Sequence, residues 1–439
     1  MRYKEYEEYK DSGVECLGKV PQHWIKSKIS RVFDIISSGG TPKSSNELYY
    51  ENGEINWLLT GDLNDGYIED TSKKITKLAV KENSILREYK KNSLVMAMYG
   101  ATIGKLGVTN IETTTNQACC VMSEPKDCDI KYMFYWFLGN RREIINLSQG
   151  GGQPNISQDI VKSLSFYKPT FQEQEKIVEF LDKKTSEIDK LIEEKEKLIE
   201  LLKEKREAII TEAVTKGLDK NVKMKDSGVE WIGEIPENWR LSKIKYISDI
   251  NSCTLNENTS EDFTFKYVDI GSVNSFGELC ELEEMKFEKA PSRARRIVKS
   301  GDSIISTVRT YLKAITSFGD IEDNSIVCST GFAVLTPKKE VVSEYLSYLV
   351  RNQRFIEQIV KRSTGVSYPA ITSKEIGDLE IIIPNIYEQQ KISNYLKIKN
   401  DEYKVIINNI EKQVEKLKEY KKSLISEVVT GKIDVRNEL

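Results

Sequence analysis

The chain has 439 residues and a mass of 50.3 kDa, with 39% hydrophobic, 30% charged and 9% aromatic residues. At about 150 residues per domain this predicts roughly three domains, and the aromatic content argues against a disordered chain. With a formal net charge of −3 and a single histidine, His23, the sequence can build no Ser-His-Asp or Cys-His catalytic pair and no multi-histidine metal site, and any nucleic-acid binding must rest on local basic patches.

The N-terminus, MRYKEYEEYKDSG, has no apolar core and does not read as a secretory signal, and no apolar run is long enough to span a membrane. Seven scattered cysteines, an odd number, suit a reducing compartment. A cytoplasmic location with no membrane partner is therefore expected.

In chain order, Lys10–Ile35 is an entry segment with Trp24 in a GxxPxxW pattern, where the Trp is expected to anchor the segment onto its domain. The turn signal SGGTPK (Ser38–Lys43) follows. Strand-like runs at Ile55–Leu59, Leu94–Met98 and Cys119–Met122 are separated by turns at Gly61–Gly66 and Tyr99–Lys105. The adjacent Cys119 and Cys120 are expected to be buried in their strand. A helix is predicted over Ile130–Asn146. The loop SQGGGQPNIS then leads through Ser157–Ile160 to a strand at Leu164–Tyr167, and Phe171–Lys216, free of Pro and Gly, reads as one long helix.

The chain then repeats itself. Lys225–Ile250 matches Lys10–Ile35 at 14 of 26 positions, and Pro384–Thr430 matches Pro169–Thr215 at 19 of 47, both at an offset of 215 without gaps. EQEKI at Glu173–Ile177 answers EQQKI at Glu388–Ile392. Trp239 answers Trp24, but His23 falls on Asn238, so the histidine reads as an ordinary surface or turn residue. The middles diverge. Lys90–Gly104 can be laid on Lys299–Lys313 at an offset of 209, and the second middle offers strands at Lys266–Ile270, Ser303–Val308 and Phe332–Leu335. A helix at Val341–Val360 and a loop at Ser363–Thr372 complete it. Shared ends with unlike middles suggest two related modules that read two different things.

The long helices carry a spacing that alternates four and three, as a coiled-coil seam requires. In the first it runs through Ile177, Leu181, Lys184, Ile188, Leu191, Lys195, Leu198, Leu202, Lys205 and Ile209. In the second it runs through Ile392, Leu396, Lys399, Tyr403, Ile406, Ile410, Gln413, Leu417, Tyr420 and Leu424. The charge balance is −3 over Gln172–Ile210 and +2 over Ile386–Val428. The two helices are expected to pair antiparallel about a pseudo-two-fold.

Enzyme motifs fail. GATIGK at Gly100–Lys105 lacks the spacing and the trailing Ser/Thr of a phosphate loop, and its counterpart RTYLKA has no glycine. No metal-ligand spacing is present. Basic residues do cluster in both middles among Tyr and small polar residues, a composition suited to phosphate contacts and base-edge readout. The DNA-binding candidates in the first middle are Thr41, Lys43, Lys73, Lys74, Arg87, Lys90, Lys91, Tyr99, Lys105 and Gln153. In the second they are Arg293, Arg295, Arg296, Arg309, Tyr311, Lys313, Arg362 and Tyr368.

The doubled KDSGVExxGxxPxxW entry, the SGGTP turn, YGATIGK and the doubled P-x-x-x-EQ-x-KI helix start together resemble the specificity subunit of type I restriction–modification systems, over nearly the whole chain. The resemblance implies an α+β architecture with two tandem α/β target-recognition domains, residues 1–168 and 218–383, and two conserved spacer helices, 169–217 and 384–439, forming an antiparallel coiled coil. It implies a non-catalytic subunit in which each domain reads half of a bipartite double-stranded DNA site. The helices would set the spacing and dock two methyltransferase subunits, with restriction/translocase subunits joining them. No cofactor is expected on this chain; S-adenosylmethionine, ATP and Mg²⁺ would sit on the partners. The second unit lacks SGGTP after Ile250 and has RTYLK for GATIGK, as a different half-site would require. The rival readings are a self-contained DNA-acting enzyme with an unrecognised carboxylate site and a coiled-coil adaptor with no DNA role.

Overall fold

Short strands whose successive residues are all apolar bury both faces, and that pattern decides the layout of each module. In the computed structural model, which describes residues 3–14, 17–148, 154–274, 277–322, 325–365 and 367–438, the chain divides into two units. Unit 1 is Met1–Glu196 with Lys412–Leu439, and unit 2 is Lys197–Glu411.

Unit 1 is built on a five-stranded sheet in the order Phe33–Ser38, Cys119–Pro125, Leu94–Ala97, Leu106–Thr109, Gly66–Ile68. All pairings are antiparallel except the last. Leu94, Met96, Cys120 and Met122 face one apolar core, and Val95, Ala97, Cys119 and Val121 face another. The two adjacent cysteines therefore point to opposite sides of one strand, and burial pushes the Cys120 thiol up to about 12. A second, three-stranded sheet joins Thr114–Thr115, Ile55–Leu58 and Lys74–Ile75.

Unit 2 repeats the central order with Ser248–Ile250, Phe332–Pro337, Ser303–Ser306 and Ile315–Ser317. Alternate strand residues again face two cores, Ile305, Ala333 and Leu335 on one side and Ile304, Phe332 and Val334 on the other. Its second sheet has four strands, Glu284–Lys286, Thr264–Val268, Ile326–Ser329 and Ala294–Val298. The shared fold expected of the two middles thus lies in the central sheet, and the second sheets differ.

Several predicted elements shift. The helix expected over Ile130–Asn146 is two, Ile130–Gly139 and Arg141–Asn146, and that over Val341–Val360 is Ser343–Arg351 and Gln353–Arg362. An Asn makes each break. Asn352 leaves the helical conformation and its Oδ1 accepts from Phe355 N at 3.0 Å, restarting the helix as an N-cap. Asn140 donates from Nδ2 to Trp136 O at 2.8 Å, terminating the first turn run. The strand placed at Lys266–Ile270 is Thr264–Val268, because Ile270 begins a 3-10 turn capped by Asp269.

Both Trp24 and Trp239 are fully buried. In unit 1, Glu173 at the start of the first long helix (Phe171–Lys216) is also buried. Its Oε1 accepts from Tyr6 OH at 2.8 Å and Trp24 Nε1 at 3.1 Å, and its Oε2 lies 2.8 Å from His23 Nε2. Burial, and then the Glu173 charge, hold the Tyr6 hydroxyl well above its ordinary range, so it stays a donor. His23 is exposed in a turn, as expected, and it also supplies one of three contacts to the buried carboxylate. In unit 2, Trp239 Nε1 has no partner among the described residues. The following Gln does the same work in both units. Gln174 accepts from Asp129 N at 2.9 Å and donates to Pro169 O at 3.1 Å. Gln389 accepts from Val342 N at 2.9 Å and donates to Pro384 O at 3.0 Å.

The second long helix is Ile386–Val429. In unit 1, Lys195 donates to Gln413 Oε1 at 2.7 Å, while Lys418 pairs with Glu196 at 2.8 Å and Lys421 with Asp189 at 2.6 Å. In unit 2, Ile199 and Leu202 pack with Ile407 and Ile410. Residue numbers rise along one helix as they fall along the other, so the pairing within unit 1 is antiparallel.

The seam differs from expectation in one of its two rows. The row Leu181, Ile188, Lys195 and Leu202, with Leu396, Tyr403, Ile410, Leu417 and Leu424 opposite, is where the spacing puts it, and Ile177 and Ile392 are buried at the domain ends. Leu191, Leu198 and Ile406, however, are 41%, 44% and 45% exposed. The second row runs one residue later, through Thr185, Ile192, Ile199 and Arg206 on one helix and Ile407, Val414, Lys421 and Val428 on the other. At the far end of the first row, Ile209 is half-buried beside the buried Ile210. Leu191-Ile192, Leu198-Ile199 and Ile406-Ile407 each put two apolar residues in succession, so two alternations of three and four fit the sequence equally well. The one adopted moves Lys184, Lys205, Lys399, Gln413 and Tyr420 off the seam centre, where their polar ends reach water at less cost.

Candidate nucleic-acid interface

The sheet register sorts the candidate residues. In unit 1, Cys119 pairs with Ala97 and Cys120 with Ser38. The loops after Ser38 and Ala97, and the one before Cys119, therefore leave from the same end of the sheet. Leu106 pairs with Met96, which brings Lys105 there too. Thr41 Oγ1 donates to Gln117 Oε1 at 2.6 Å across this end. Tyr99 bridges Asn155, and Ile156 N donates to Met98 O at 2.8 Å, so the loop after residue 153 lines the same rim. Gln153 itself lies outside the described residues.

The SGGTP turn is a structural device at this rim. Gly39 passes so close to Thr115 that a Cβ would sit 1.8 Å from its carbonyl oxygen. Trp57 Nε1 donates to Gly40 O at 3.2 Å and Tyr50 OH to Pro42 O at 2.6 Å. This fixes the turn and leaves Thr41 and Lys43 exposed.

The other unit 1 candidates are placed elsewhere. Lys90 and Lys91 precede Leu94 and stand at the opposite end of the sheet, where Lys90 pairs with Glu124 at 2.8 Å. Lys74 opens a strand of the small second sheet, with Lys73 just before it, and Lys74 pairs with Asp70 at 3.2 Å. Arg87 is exposed two residues before the buried Tyr89. Arg141, whose fork grips Asp65, braces the Gly104 turn from below.

Unit 2 presents the same end with other residues. Phe332 pairs with Ser306 and Ile250 with Leu335, so the loops Thr307–Lys313 and Ser329–Gly331 gather together, and Pro369 and Ile371 join them. Thr307 N donates to Gly331 O at 2.7 Å, Arg309 N to Pro369 O at 2.8 Å, and Ile371 N to Thr307 O at 2.8 Å. Thr330 N donates to Arg293 O at 2.8 Å, which ties the basic strand start to this rim. Arg309, Tyr311 and Tyr368 are exposed. Lys313 Nζ donates to Gln353 Oε1 at 3.2 Å.

Arg295 lies 4.9 Å over the Phe287 ring in the second sheet. Arg296 is half-buried; burial holds its guanidinium below the ordinary range, and its Nη1 has no partner among the described residues. Arg362 closes the helix Gln353–Arg362, just before the Ser363 loop. Sequence reasoning missed Gln117, Asn155 and Ser363, whose polar side chains or backbone complete the rims; only the strand register, which places their neighbours, could have found them.

Among the described residues no group of His, Cys, Asp and Glu is arranged to hold a metal ion, and no helix is long and apolar enough to cross a membrane.

Comparison with known proteins agrees with this layout. The family model described as type I restriction modification DNA specificity domain matches residues 21–201 and again 236–416. The type I restriction enzyme MjaVIII specificity subunit of Methanocaldococcus jannaschii is 24% identical over 431 residues, 95% of each chain. The EcoR124I/EcoR124II specificity subunit of Escherichia coli is 24% identical over 240 residues, covering 54% of this chain and 52% of that one. Among solved structures, a chain from a type I R-M system aligns with a TM-score of 0.69 at 13% identity, over 93% of this chain and 98% of its own. The HsdS subunit from Thermoanaerobacter tengcongensis aligns at 0.53 and 14% identity, over 96% and 100%. These likenesses show a shared fold. With both halves of the sequence covered, the chain belongs to the type I restriction modification DNA specificity domain family, as two tandem copies of that domain.

Proposed function

We propose that the two copies act as target-recognition domains, each reading one half of a bipartite, asymmetric DNA site. The chain is a type I restriction–modification specificity subunit, the non-catalytic DNA-recognition component of its complex. The observation that carries the half-site reading is the pair of rims. The same end of the same central sheet gathers loops in both units, yet the exposed residues differ: Thr41, Lys43 and Lys105, beside a half-buried Tyr99, in one, and Arg293, Arg309, Tyr311 and Tyr368 in the other. A common scaffold with unlike readout residues is what an asymmetric target demands. In this reading residues 1–168 and 218–383 recognise DNA, and residues 169–217 and 384–439 set the spacing and dock two methyltransferase subunits. Restriction/translocase subunits join the complex, and S-adenosylmethionine, ATP and Mg²⁺ belong to those partners. The complex works where the chromosome is, in the cytoplasm.

Replacing Thr41–Ser163 by the segment of another family member tests the modular part, because it leaves the Ser165–Lys168 strand and its partner Ile25–Lys28 intact. Methylation mapping of the assembled complex should show one half-site changed, with the other half and the gap unchanged. A change in both halves, or in neither, refutes modularity.

The spacer role has its own test. Seven residues inserted after Glu196 and seven after Glu411 keep each seam in phase and add about 10 Å. The gap between half-sites should lengthen by about three base pairs at about 3.4 Å each; an unchanged gap rejects the ruler.

A further inference from the structure

Both units carry a tight turn at the recognition rim, and they differ at the two backbone positions that make it. In unit 1 the 3-10 turn Gly100–Thr102 is bounded by left-handed Gly100 (φ 80°) and Gly104 (φ 75°). In unit 2 the turn Thr310–Leu312 is bounded by left-handed Arg309 (φ 50°) and Lys313 (φ 53°). The left-handed region penalises any residue with a Cβ, and glycine is its default occupant. Such outliers persist only where the surroundings over-determine them, and they gather at functional sites.

The frame around Arg309 meets that condition. Its N–H donates to Pro369 O at 2.8 Å and its carbonyl accepts from Leu312 N at 2.9 Å. Thr310 Oγ1 and Ser363 Oγ lie 2.8 Å apart, and Thr364 and Ala370 exchange two backbone hydrogen bonds of 2.9 Å. These bonds fasten the turn to Ser363 and Pro369 and tie Thr364 to Ala370. They leave the Arg309 side chain exposed, its guanidinium 4.8 Å from the centre of the Tyr368 ring, which is itself 63% exposed.

Among the described residues no carboxylate pairs with Arg309, whereas Arg141 is held by Asp65. Of the two strained residues, Lys313 is already engaged by Gln353. A guanidinium stacked on a tyrosine face gives up little freedom on binding and keeps its fork of N–H donors in one plane, edge outward. That edge is complementary to O6 and N7 of guanine in the major groove.

We infer that Arg309, braced by Tyr368, selects a G·C pair in the half-site read by unit 2. The inference rests on reading the chain as a DNA-specificity subunit. From its own copy of the turn unit 1 makes no such contact, because Gly100 carries no side chain, although a Cβ there would meet nothing within 4 Å.

The test uses the full complex with its cognate methyltransferase subunits and maps methylated motifs for wild type, Arg309→Gly, Tyr368→Phe and Tyr368→Ala. Arg309→Gly restores the residue the backbone favours, so its thermal midpoint should be unchanged or slightly raised, and altered specificity cannot be ascribed to misfolding. The variant should lose the requirement for guanine at one position, with discrimination falling about 10- to 100-fold. The unit 1 half-site and the gap should not change. Tyr368→Phe should keep the motif, because the stacking face remains, and Tyr368→Ala should blur the same position as Arg309→Gly.

A motif unchanged in Arg309→Gly overturns the assignment. So does a uniform loss of methylation at all sites with a shallower salt dependence, which would make Arg309 a phosphate contact. If wild type itself marks no bipartite motif, the DNA-specificity reading fails and the Arg309 assignment falls with it.

Discussion

Glu173→Ala should lower the melting temperature of unit 1 by about 10 °C. The carboxylate is only 4% exposed and is contacted by three side chains, His23 and Trp24 of the entry segment and Tyr6 just before it, which together close over the start of the first long helix. Its removal leaves the Tyr6 hydroxyl and the Trp24 indole N–H without acceptors in a site where water cannot replace them. Breaking such a network costs about 3–5 kcal/mol. For a body of this size each kcal/mol is worth roughly 2–4 °C. Glu173→Gln should cost less, because the amide oxygen can still accept from Tyr6 and Trp24 while its NH₂ faces His23.

The equivalent substitution in unit 2, Glu388→Ala, is the internal control. Trp239 Nε1 has no partner there to lose, and the counterparts of Tyr6 and His23 are Asn221 and Asn238. A loss of under about 1 kcal/mol is expected, as for ordinary surface changes. Scanning calorimetry of the full chain distinguishes the cases; equal losses for the two glutamates would mean that the network contributes nothing specific to unit 1.

The second large effect concerns the seam. Ile199→Asp should destabilise unit 2 by about 3 kcal/mol, and Leu198→Asp should be close to neutral. Ile199 packs with Ile407 and Ile410, so an aspartate there would be buried without a hydrogen-bond partner. Leu198, one residue earlier, is 44% exposed. Circular dichroism of the two variants during thermal unfolding separates the registers; the reverse order of stabilities would restore the row through Leu191, Leu198 and Ile406.

This pair of residues shows where the sequence was legible and where it was not. The helix bounds, the doubled entry and the doubled EQ start were readable because each has a local cause: the absence of Pro and Gly, a buried Trp, and a Gln that bonds the proline carbonyl just before the long helix. The choice between Leu198 and Ile199 was not, because both are apolar and only the partner helix decides which one is covered. Asn140 and Asn352 broke helices for a reason visible in their chemistry, but an Asn is often tolerated inside a helix and no flanking signal marked these two.

The rim was half legible. YGATIGK and RTYLK were aligned, yet the meaning of Arg309 and Lys313 standing where glycines stand in the other copy requires the backbone angles. Lys90 and Lys91 look as basic as Lys105 in the sequence, and only strand register shows that they occupy the opposite end of the sheet.

Unit 1 assembles from two segments that lie far apart in the sequence. Lys4 and Asp434 form a bridge, with Asp434 N donating to Lys4 O at 2.7 Å, and Val428, Val429, Ile433 and Val435 lie in the same core as Trp24. Gly431 comes so close to Trp24 and Pro21 that a Cβ would meet both, and in unit 2 Gly217 meets Trp239 in the corresponding place. One helix end therefore approaches a tryptophan that follows it closely in sequence, and the other a tryptophan that lies far before it. The same closure of a helix end onto a buried tryptophan is thus made once between neighbouring segments and once between distant ones, so it does not depend on the two partners being adjacent in sequence.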